Sequence, residues 1–352
     1  MSVFFSDGYR IVFGRIMKEA RLYKPLENGR VQCLTCAHYC ILNQDKTGIC
    51  GVRQNRKGRL YSLVYGSAVA LHVDPIEKKP LFHVLPGTLA LSIATVGCNM
   101  HCDNCQNADI SQMPREYGRI QGQELSPPDV VSKAVREHCD VIAYTYSEPA
   151  IYWDYAFDIS VQAHEKGLLN VFVTNGYLSR ESLAEIGPYL DGANVDLKSF
   201  RDETYKTICG ARLAPVLETI ERMKSLGIWV EVTTLLIPGL NDSRKELKQI
   251  AEFIAGIDSG IPWHISRFYP TYRMRDRQPT PPASIQKARQ IGMEAGLKYV
   301  YSGNLPGDAG ESTYCHECQT TLIQRAGYRI QTNKILAGSC PNCKAKIPGI
   351  WK

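Results

Sequence analysis

The sequence predicts an α/β fold: a parallel sheet that curls into a partial barrel of six β/α units, with a cysteine-rich segment before it and another after it. Three observations carry this expectation. Apolar runs of strand length occur at residues 89–96, 141–146, 169–174, 193–197, 229–237 and 261–268. Between them lie segments of helix length, and those at 126–138, 213–226 and 244–254 repeat their apolar residues with the 3.6-residue period. The thirteen cysteines, Cys139 and Cys209 apart, fall into three groups at ligand spacing.

Each element has a local reason. Ser126 followed by Pro127 is an N-cap with proline at the first helical position. A final pair, helix 283–295 and strand 298–301, is a candidate for one more unit. Residues 61–87 read as short strands and turns, and Pro75 and Pro80 favour an extended connector over a helix across 74–83. The resulting division is a cysteine-rich, metal-binding extension at 1–75, the barrel at 76–308 and a small domain at 309–352.

With 352 residues and 44 % apolar content the chain can bury a large core. A net charge of +6 suits an acidic substrate or RNA and selects neither. No run of about eighteen apolar residues is present, so no membrane span is expected. Asp7, Arg10, Arg15 and Lys18 interrupt the first segment, so no signal peptide is expected. Clustered thiols without disulfide-type spacing point to metal and to a cytoplasmic protein.

The first group, Cys33, Cys36, Cys40 and Cys50, is a complete ligand set, with Gly48 and Gly51 supplying tight turns around the last thiol. Four thiolates suit zinc and iron-sulfur clusters alike, and His38 reads as a residue outside the ligand shell. The second group is Cys98, Cys102 and Cys105, in the spacing Cys-X3-Cys-X2-Cys directly after a buried strand. Three thiolates on a four-iron cubane leave one iron free to be chelated by a small molecule. A zinc ion would need a fourth ligand, and only His101 is at hand. The third group, Cys315, Cys318, Cys340 and Cys343, forms two Cys-X2-Cys knuckles, the spacing of a zinc ribbon. Its few apolar residues cannot make a core without metal, so a structural clip is expected rather than a nucleic-acid module. Cys139 reads as a buried helix thiol and Cys209 as a turn residue facing away from the site.

Ligands of β/α barrels bind at the carboxyl ends of the strands. There the sequence places the cysteine triad, Ser147-Glu148-Pro149, Thr174-Asn175-Gly176, Asp196-Leu197-Lys198 and Ser266-Arg267-Phe268. The loop that follows, 270–279, carries Arg273, Arg275 and Arg277 and suits a surface cover that binds an oxyanion.

Over residues 75–305 these motifs resemble the radical S-adenosylmethionine (SAM) superfamily, in particular the branch that includes pyruvate formate-lyase activating enzyme. The resemblance implies a partial barrel of radical SAM type in which Cys98, Cys102 and Cys105 ligate a [4Fe-4S] cluster and SAM chelates the open iron. Ser147, Glu148 and Pro149 stand where the superfamily's Gly-Gly-Glu-Pro motif binds the SAM amino group. Asn107, Asp196 and Lys198 look like activase positions that contact SAM, and Asn175 and Arg267 join the expected cofactor-binding set. There are departures: Asn104 replaces an aromatic residue, Val173 an acidic one, Tyr269 lies near an expected histidine, and no ferredoxin insert follows Cys105.

Over nearly the whole chain the sequence is similar to the radical SAM enzyme of the AmmeMemoRadiSam system. The segments that carry this include Gly48-Ile49-Cys50-Gly51-Val52-Arg53, Asp74-Pro75-Ile76-Glu77-Lys78-Lys79-Pro80 and Pro262-Trp263-His264-Ile265-Ser266-Arg267-Phe268. This resemblance implies reductive SAM cleavage and hydrogen abstraction in an oxidoreductase- or lyase-type enzyme. It also implies an electron donor such as flavodoxin or ferredoxin, and association with a Memo-like and an AMMECR-like protein. Membrane and nucleic-acid partners are not expected. The alternatives are a glycyl-radical enzyme activase and a non-catalytic protein that holds zinc at all three cysteine groups and binds RNA; iron and sulfide content separates the second from an enzyme.

Overall fold

Eight strands join one sheet in their chain order, the arrangement expected when each apolar run is followed by a helix that packs back onto the sheet. In the computed structural model, which describes residues 9–12 and 15–352, these strands begin at residue 70. They are β1 (Ala70–Pro75), β2 (Leu89–Ala94), β3 (Val141–Tyr144), β4 (Leu169–Thr174), β5 (Gly192–Asp196), β6 (Trp229–Leu236), β7 (Trp263–Arg267) and β8 (Val300–Gly303). From β2 to β8 every pairing is parallel. The crossovers contain α1 (Pro127–Arg136), α2 (Trp153–Glu165), α3 (Arg180–Ile186), α4 (Leu213–Ser225), α5 (Arg244–Ile257) and α6 (Pro282–Glu294). Six crossovers between seven parallel strands make the partial (β/α)6 barrel, and the predicted unit at 283–301 is the last of them.

Strands covered on both faces must be apolar throughout, and β3, Val-Ile-Ala-Tyr, is buried at all four positions. The start of α1 is set by Ser126, whose side chain accepts from the Asp129 amide while the Asp129 side chain accepts from the Ser126 amide, with Pro127 following.

The region before β2 departs from the expectation. Strand β1 pairs antiparallel with β2, so the sheet begins inside the segment assigned from the sequence to the extension. Its residues Ala-Leu-His-Val-Asp-Pro lack a clean alternation because it is an edge strand with one neighbour, and Pro75 ends it. The expected extended connector at 74–83 instead turns through a 3-10 helix, Ile76–Lys78, and enters the amino-terminal end of the barrel. There the amides of Phe82 and His83 donate to Glu231 on β6 at 3.0 and 2.8 Å, and the Asn194 side chain on β5 donates to the Pro80 carbonyl at 2.7 Å. This segment is the floor of the barrel.

The carboxy-terminal domain packs beneath that floor. Its three-stranded sheet, Thr313–Tyr314, Thr321–Ala326 and Arg329–Asn333, shares a core with Phe82, Tyr299 and Tyr301. Arg325 donates to the Phe82 carbonyl at 2.9 Å and lies 3.7 Å from Glu77. The amino-terminal extension contributes two small antiparallel sheets and docks at the opposite, carboxyl-end face. Its Ala37 amide donates to the Tyr177 carbonyl at 3.2 Å, and Ser179 donates to the Leu34 carbonyl at 2.6 Å. A buried ion pair, Arg53 to Asp154 at 2.7 Å, ties it to α2. Asp7, one of the charges read against a signal peptide, lies outside the described residues. Among the described residues no helix is long and apolar enough to cross a membrane.

Candidate active site

The chain leaves β2 through Gly97, whose φ of +107° and close contacts exclude a side chain: a β-carbon there would lie 2.9 Å from Val52 and 3.2 Å from the Cys50 carbonyl oxygen. The loop that follows is held from within and from across the barrel. The Met100 amide donates to Cys98 Sγ at 3.4 Å, the His101 amide to the Cys209 carbonyl at 3.0 Å and the Asp103 amide to the Ile208 carbonyl at 3.1 Å. Cys98, Cys102 and Cys105 thereby form one wall of a cavity of about 420 Å³ at the carboxyl ends of the strands. His101, the remaining candidate for a zinc ligand, is not part of that wall; its ring occupies the place a β-carbon on Gly210 would take.

Asn107, Ser147, Glu148, Asn175, Asp196 and Lys198 line the same cavity. Glu148 is the clamp among them. It is buried and accepts from Thr174 Oγ1 and the Asn175 amide, both at 2.8 Å, and from the Ala150 amide at 3.1 Å, joining the ends of β3 and β4. Burial pushes its carboxyl up to about 7 despite those three donors. Ser147 donates to the Thr95 carbonyl at 2.7 Å, and Asn107 donates to the Tyr146 carbonyl at 2.8 Å. Tyr146 adopts the left-handed φ of 63°, a conformation that favours glycine, in the turn before Ser147. It is held there by a hydrogen bond from its hydroxyl to Asp74 and by the Lys79 ammonium 4.5 Å from the ring centre.

On the opposite wall Lys198 Nζ donates to Asp196 Oδ2 at 2.9 Å. Burial alone would lower the lysine pKa, but Asp196 and the thiols of Cys102 and Cys209 raise it well above its usual value, so it remains a cation. The Asn175 side-chain nitrogen Nδ2 donates to Asn99 Oδ1 at 2.7 Å and lies 3.7 Å from Cys98 Sγ. Burial raises the pKa of Cys98 and Cys105, whereas a hydrogen bond with Cys209 lowers that of Cys102 against its burial. Metal loading must therefore displace protons from at least the first two.

Two placements correct the sequence reading. Arg267 does not line the cavity: its neighbour Ser266 does, and adjacent strand residues face opposite ways. The guanidinium instead donates to the Thr280 carbonyl at 2.7 Å and to the Tyr269 hydroxyl at 2.9 Å. Cys209, read as facing away, lines the cavity beside Cys102. Lys79 was missed altogether. It is 1 % exposed, lines the cavity, donates to Asp74 at 2.7 Å, and burial brings its pKa down to about 8. The signal against a passive connector was its two adjacent lysines between prolines. In the basic loop, the Arg273 amide donates to the Asp103 carbonyl at 3.1 Å and its guanidinium pairs with Glu116 at 3.0 Å, so the loop is strapped to the cysteine loop.

The donor set fits a cluster with a polar chelator. Three thiols share the cavity with Asn194 Oδ1 and Thr233 Oγ1, both buried and without a hydrogen-bond partner. Residues 92–254 match the radical SAM superfamily. Those residues form a radical SAM domain. The match implies a [4Fe-4S] cluster and SAM. An uncharacterized protein of Methanocaldococcus jannaschii is 44 % identical over 334 residues, covering 94 % of this chain and 99 % of its own. The pyruvate formate-lyase-activating enzyme of Clostridium pasteurianum is 23 % identical, covering 46 % of this chain and 67 % of its own. A solved domain of pyruvate-formate lyase-activating enzyme from Bacteroides vulgatus ATCC 8482 aligns at 22 % identity with a TM-score of 0.39, covering 46 % of this chain and 98 % of that one.

The two other cysteine groups line neither wall of this cavity. Cys315, Cys318, Cys340 and Cys343 bring four sulfurs within 4.8 Å of one another, with pairs at 3.5 and 3.7 Å. A tetrahedral ion bound at about 2.3 Å needs sulfurs about 3.8 Å apart, so this group fits a zinc ribbon. Cys33, Cys36, Cys40 and Cys50 surround a cavity of their own, together with His38, Arg53 and Asn99.

Proposed function

We propose that the chain is a radical SAM enzyme with its [4Fe-4S] cluster on Cys98, Cys102 and Cys105, SAM in the adjoining cavity, and zinc in the carboxy-terminal ribbon. The carrying observation is one cavity in which three thiols face a wall of buried polar groups with unspent hydrogen-bonding capacity. A reduced cluster held by Cys98, Cys102 and Cys105 would supply the electron for reductive cleavage of SAM, and SAM so cleaved would supply the means of hydrogen abstraction from the substrate. The chain's residues bind and orient. Ser147 and Glu148 present acceptors for an ammonium, and Asn107 fixes the Tyr146 carbonyl in front of them. Asp196 keeps one carboxylate oxygen outside its bond to Lys198, available to a ribose hydroxyl. Phe82 and His83 close the floor against water.

A flavodoxin- or ferredoxin-type donor supplies the electron in this reading, and a Memo-like and an AMMECR-like protein are the partners that the sequence resemblance supports. Anaerobic reconstitution followed by reduction with dithionite and SAM tests the reaction, read as 5'-deoxyadenosine. Wild-type protein is expected to form it and Cys102→Ala to form none; product from the variant would sink the assignment. Two relatives, the pyruvate formate-lyase-activating enzyme of Clostridium pasteurianum and the benzylsuccinate synthase activating enzyme of Thauera aromatica, support a second reading, activation of a glycyl-radical enzyme. A protein radical seen by electron paramagnetic resonance in a co-incubated glycyl-radical enzyme would decide for it.

A further inference from the structure

We propose that Cys33, Cys36, Cys40 and Cys50 hold a second iron-sulfur cluster, not zinc, adjacent to the Cys98 site and in electronic contact with it. Only the destination of the electron rests on the radical SAM reading; the ligand set stands on its own geometry.

The chain contains its own reference for a single-ion site. In the ribbon, four sulfurs have closed to within 4.8 Å of one another. Among the described residues the amino-terminal thiols form no such tight group, yet all four line one pocket. A zinc ion draws its four thiolates to about 3.8 Å. A cubane interposes its own body of iron and sulfide, and its terminal thiolates stand further apart. Four thiols that line one pocket without closing to single-ion distances match the second case.

An independent observation points into the same hollow. Arg53 is 2 % exposed and lines the cavity. Its Nη2 donates to Asp154 at 2.7 Å and its Nε to the Ile151 carbonyl at 3.2 Å, but Nη1 has no partner. A buried guanidinium nitrogen with nothing to donate to is costly unless an acceptor is bound there, and cluster sulfur is such an acceptor.

The two sites also share a wall. Gly97 packs so closely on the Cys50 turn that no β-carbon fits between them. Asn99 lines the amino-terminal cavity, and its carbonyl lies 2.7 Å from His38 Nε2. The side chain of the same residue lies 3.8 Å from Cys98 Sγ. One residue therefore separates the two thiol sets. The consequence is electron supply: a low-potential one-electron donor protein is oxidised by one electron, which passes through the amino-terminal cluster to the Cys98 cluster, and no bond forms or breaks.

The test is the chain with Cys98, Cys102 and Cys105 all changed to alanine, reconstituted anaerobically and assayed for iron, sulfide and zinc. About four irons and about one zinc per chain are expected, with a paramagnetic signal after dithionite reduction. About two zincs and no iron would overturn the proposal. A complementary variant, Cys36→Ala with Cys40→Ala, should halve the iron of the native chain and keep the ribbon zinc as a sign of folding; undiminished iron overturns it equally. Because each variant retains one thiol set, loss of the radical SAM assignment and loss of this one give different iron counts. Contact between the sites is read from the reduced native chain, whose signal should be broadened by spin coupling relative to the sum of the two variants. An unbroadened sum would refute adjacency of the clusters.

Discussion

Changing Arg325 to alanine is expected to destabilise the protein by about 3–5 kcal/mol, although the ion pair it breaks contributes little net stability. Glu77 and Arg325 are both buried, with Glu77 Oε1 3.7 Å from the guanidinium and 3.1 Å from the Gly87 amide. Burial raises the Glu77 pKa and lowers that of Arg325, so on both partners desolvation outweighs mutual attraction. Truncating the arginine keeps the desolvation of Glu77 and removes its counter-charge. It also leaves the Phe82 carbonyl and Thr313 without donors that stood at 2.9 and 2.8 Å, and takes a cation from 4.1 Å over the Phe82 ring. The deficit should shrink as pH falls, because Glu77 can then be neutralised by a proton. Glu77→Gln with Arg325→Met should regain most of the loss, since no unpaired charge remains. Urea unfolding of the zinc-loaded protein, followed by tryptophan fluorescence and far-ultraviolet circular dichroism together, measures Arg325→Ala, the double variant and its two single components. A loss below about 1 kcal/mol for Arg325→Ala, or a double variant as unstable as the sum of the singles, would refute the reasoning.

Other outcomes are equally specific. Cys315→Ala should release zinc and lower the unfolding temperature while the iron signal of the Cys98 set persists, because the ribbon clips the floor from outside. Zinc analysis beside the iron spectrum checks this. Asp196→Asn and Lys198→Met should each weaken SAM binding by about tenfold or more without unloading iron, as loss of a charge-assisted contact predicts. Titration of SAM into the reconstituted variants measures it, and unchanged affinity in both would leave the pair a solvated strand end. His83, buried between the Pro348 carbonyl and the Tyr301 hydroxyl, is pushed down to about 4, chiefly by burial. Between its unfolded value near 6.5 and about 4 the unfolded chain binds the proton and the folded chain does not. Stability is therefore full above about 6.5 and falls with pH through that window, by up to about 3 kcal/mol from this group. Comparing acid unfolding of wild type and His83→Gln isolates the contribution, and identical profiles would contradict it.

The sequence by itself determined what is local or periodic. Fully buried parallel strands must be apolar runs, so β2 to β7 could be found from composition alone, each within about two residues at either end. Cysteine spacing within one loop predicts a shared ligand set because a few residues of backbone keep the thiols together, as at Cys98, Cys102 and Cys105. What faces the cavity from elsewhere was decided only by tertiary structure. Ser266 and Arg267 are neighbours in the chain, and the sheet's two-residue alternation sends one inward and the other out. Cys209 reaches Cys102 because the loop after β5 folds back over the barrel mouth, a contact across more than a hundred residues. Lys79 enters the site because 79–85 fills the barrel floor, where Glu231 and Asn194 await its backbone; no local pattern encodes that partnership. The contact of Asn99 with His38 beside the amino-terminal thiols has the same origin. Periodicity records which face of an element is covered, and only the assembled sheet specifies by what.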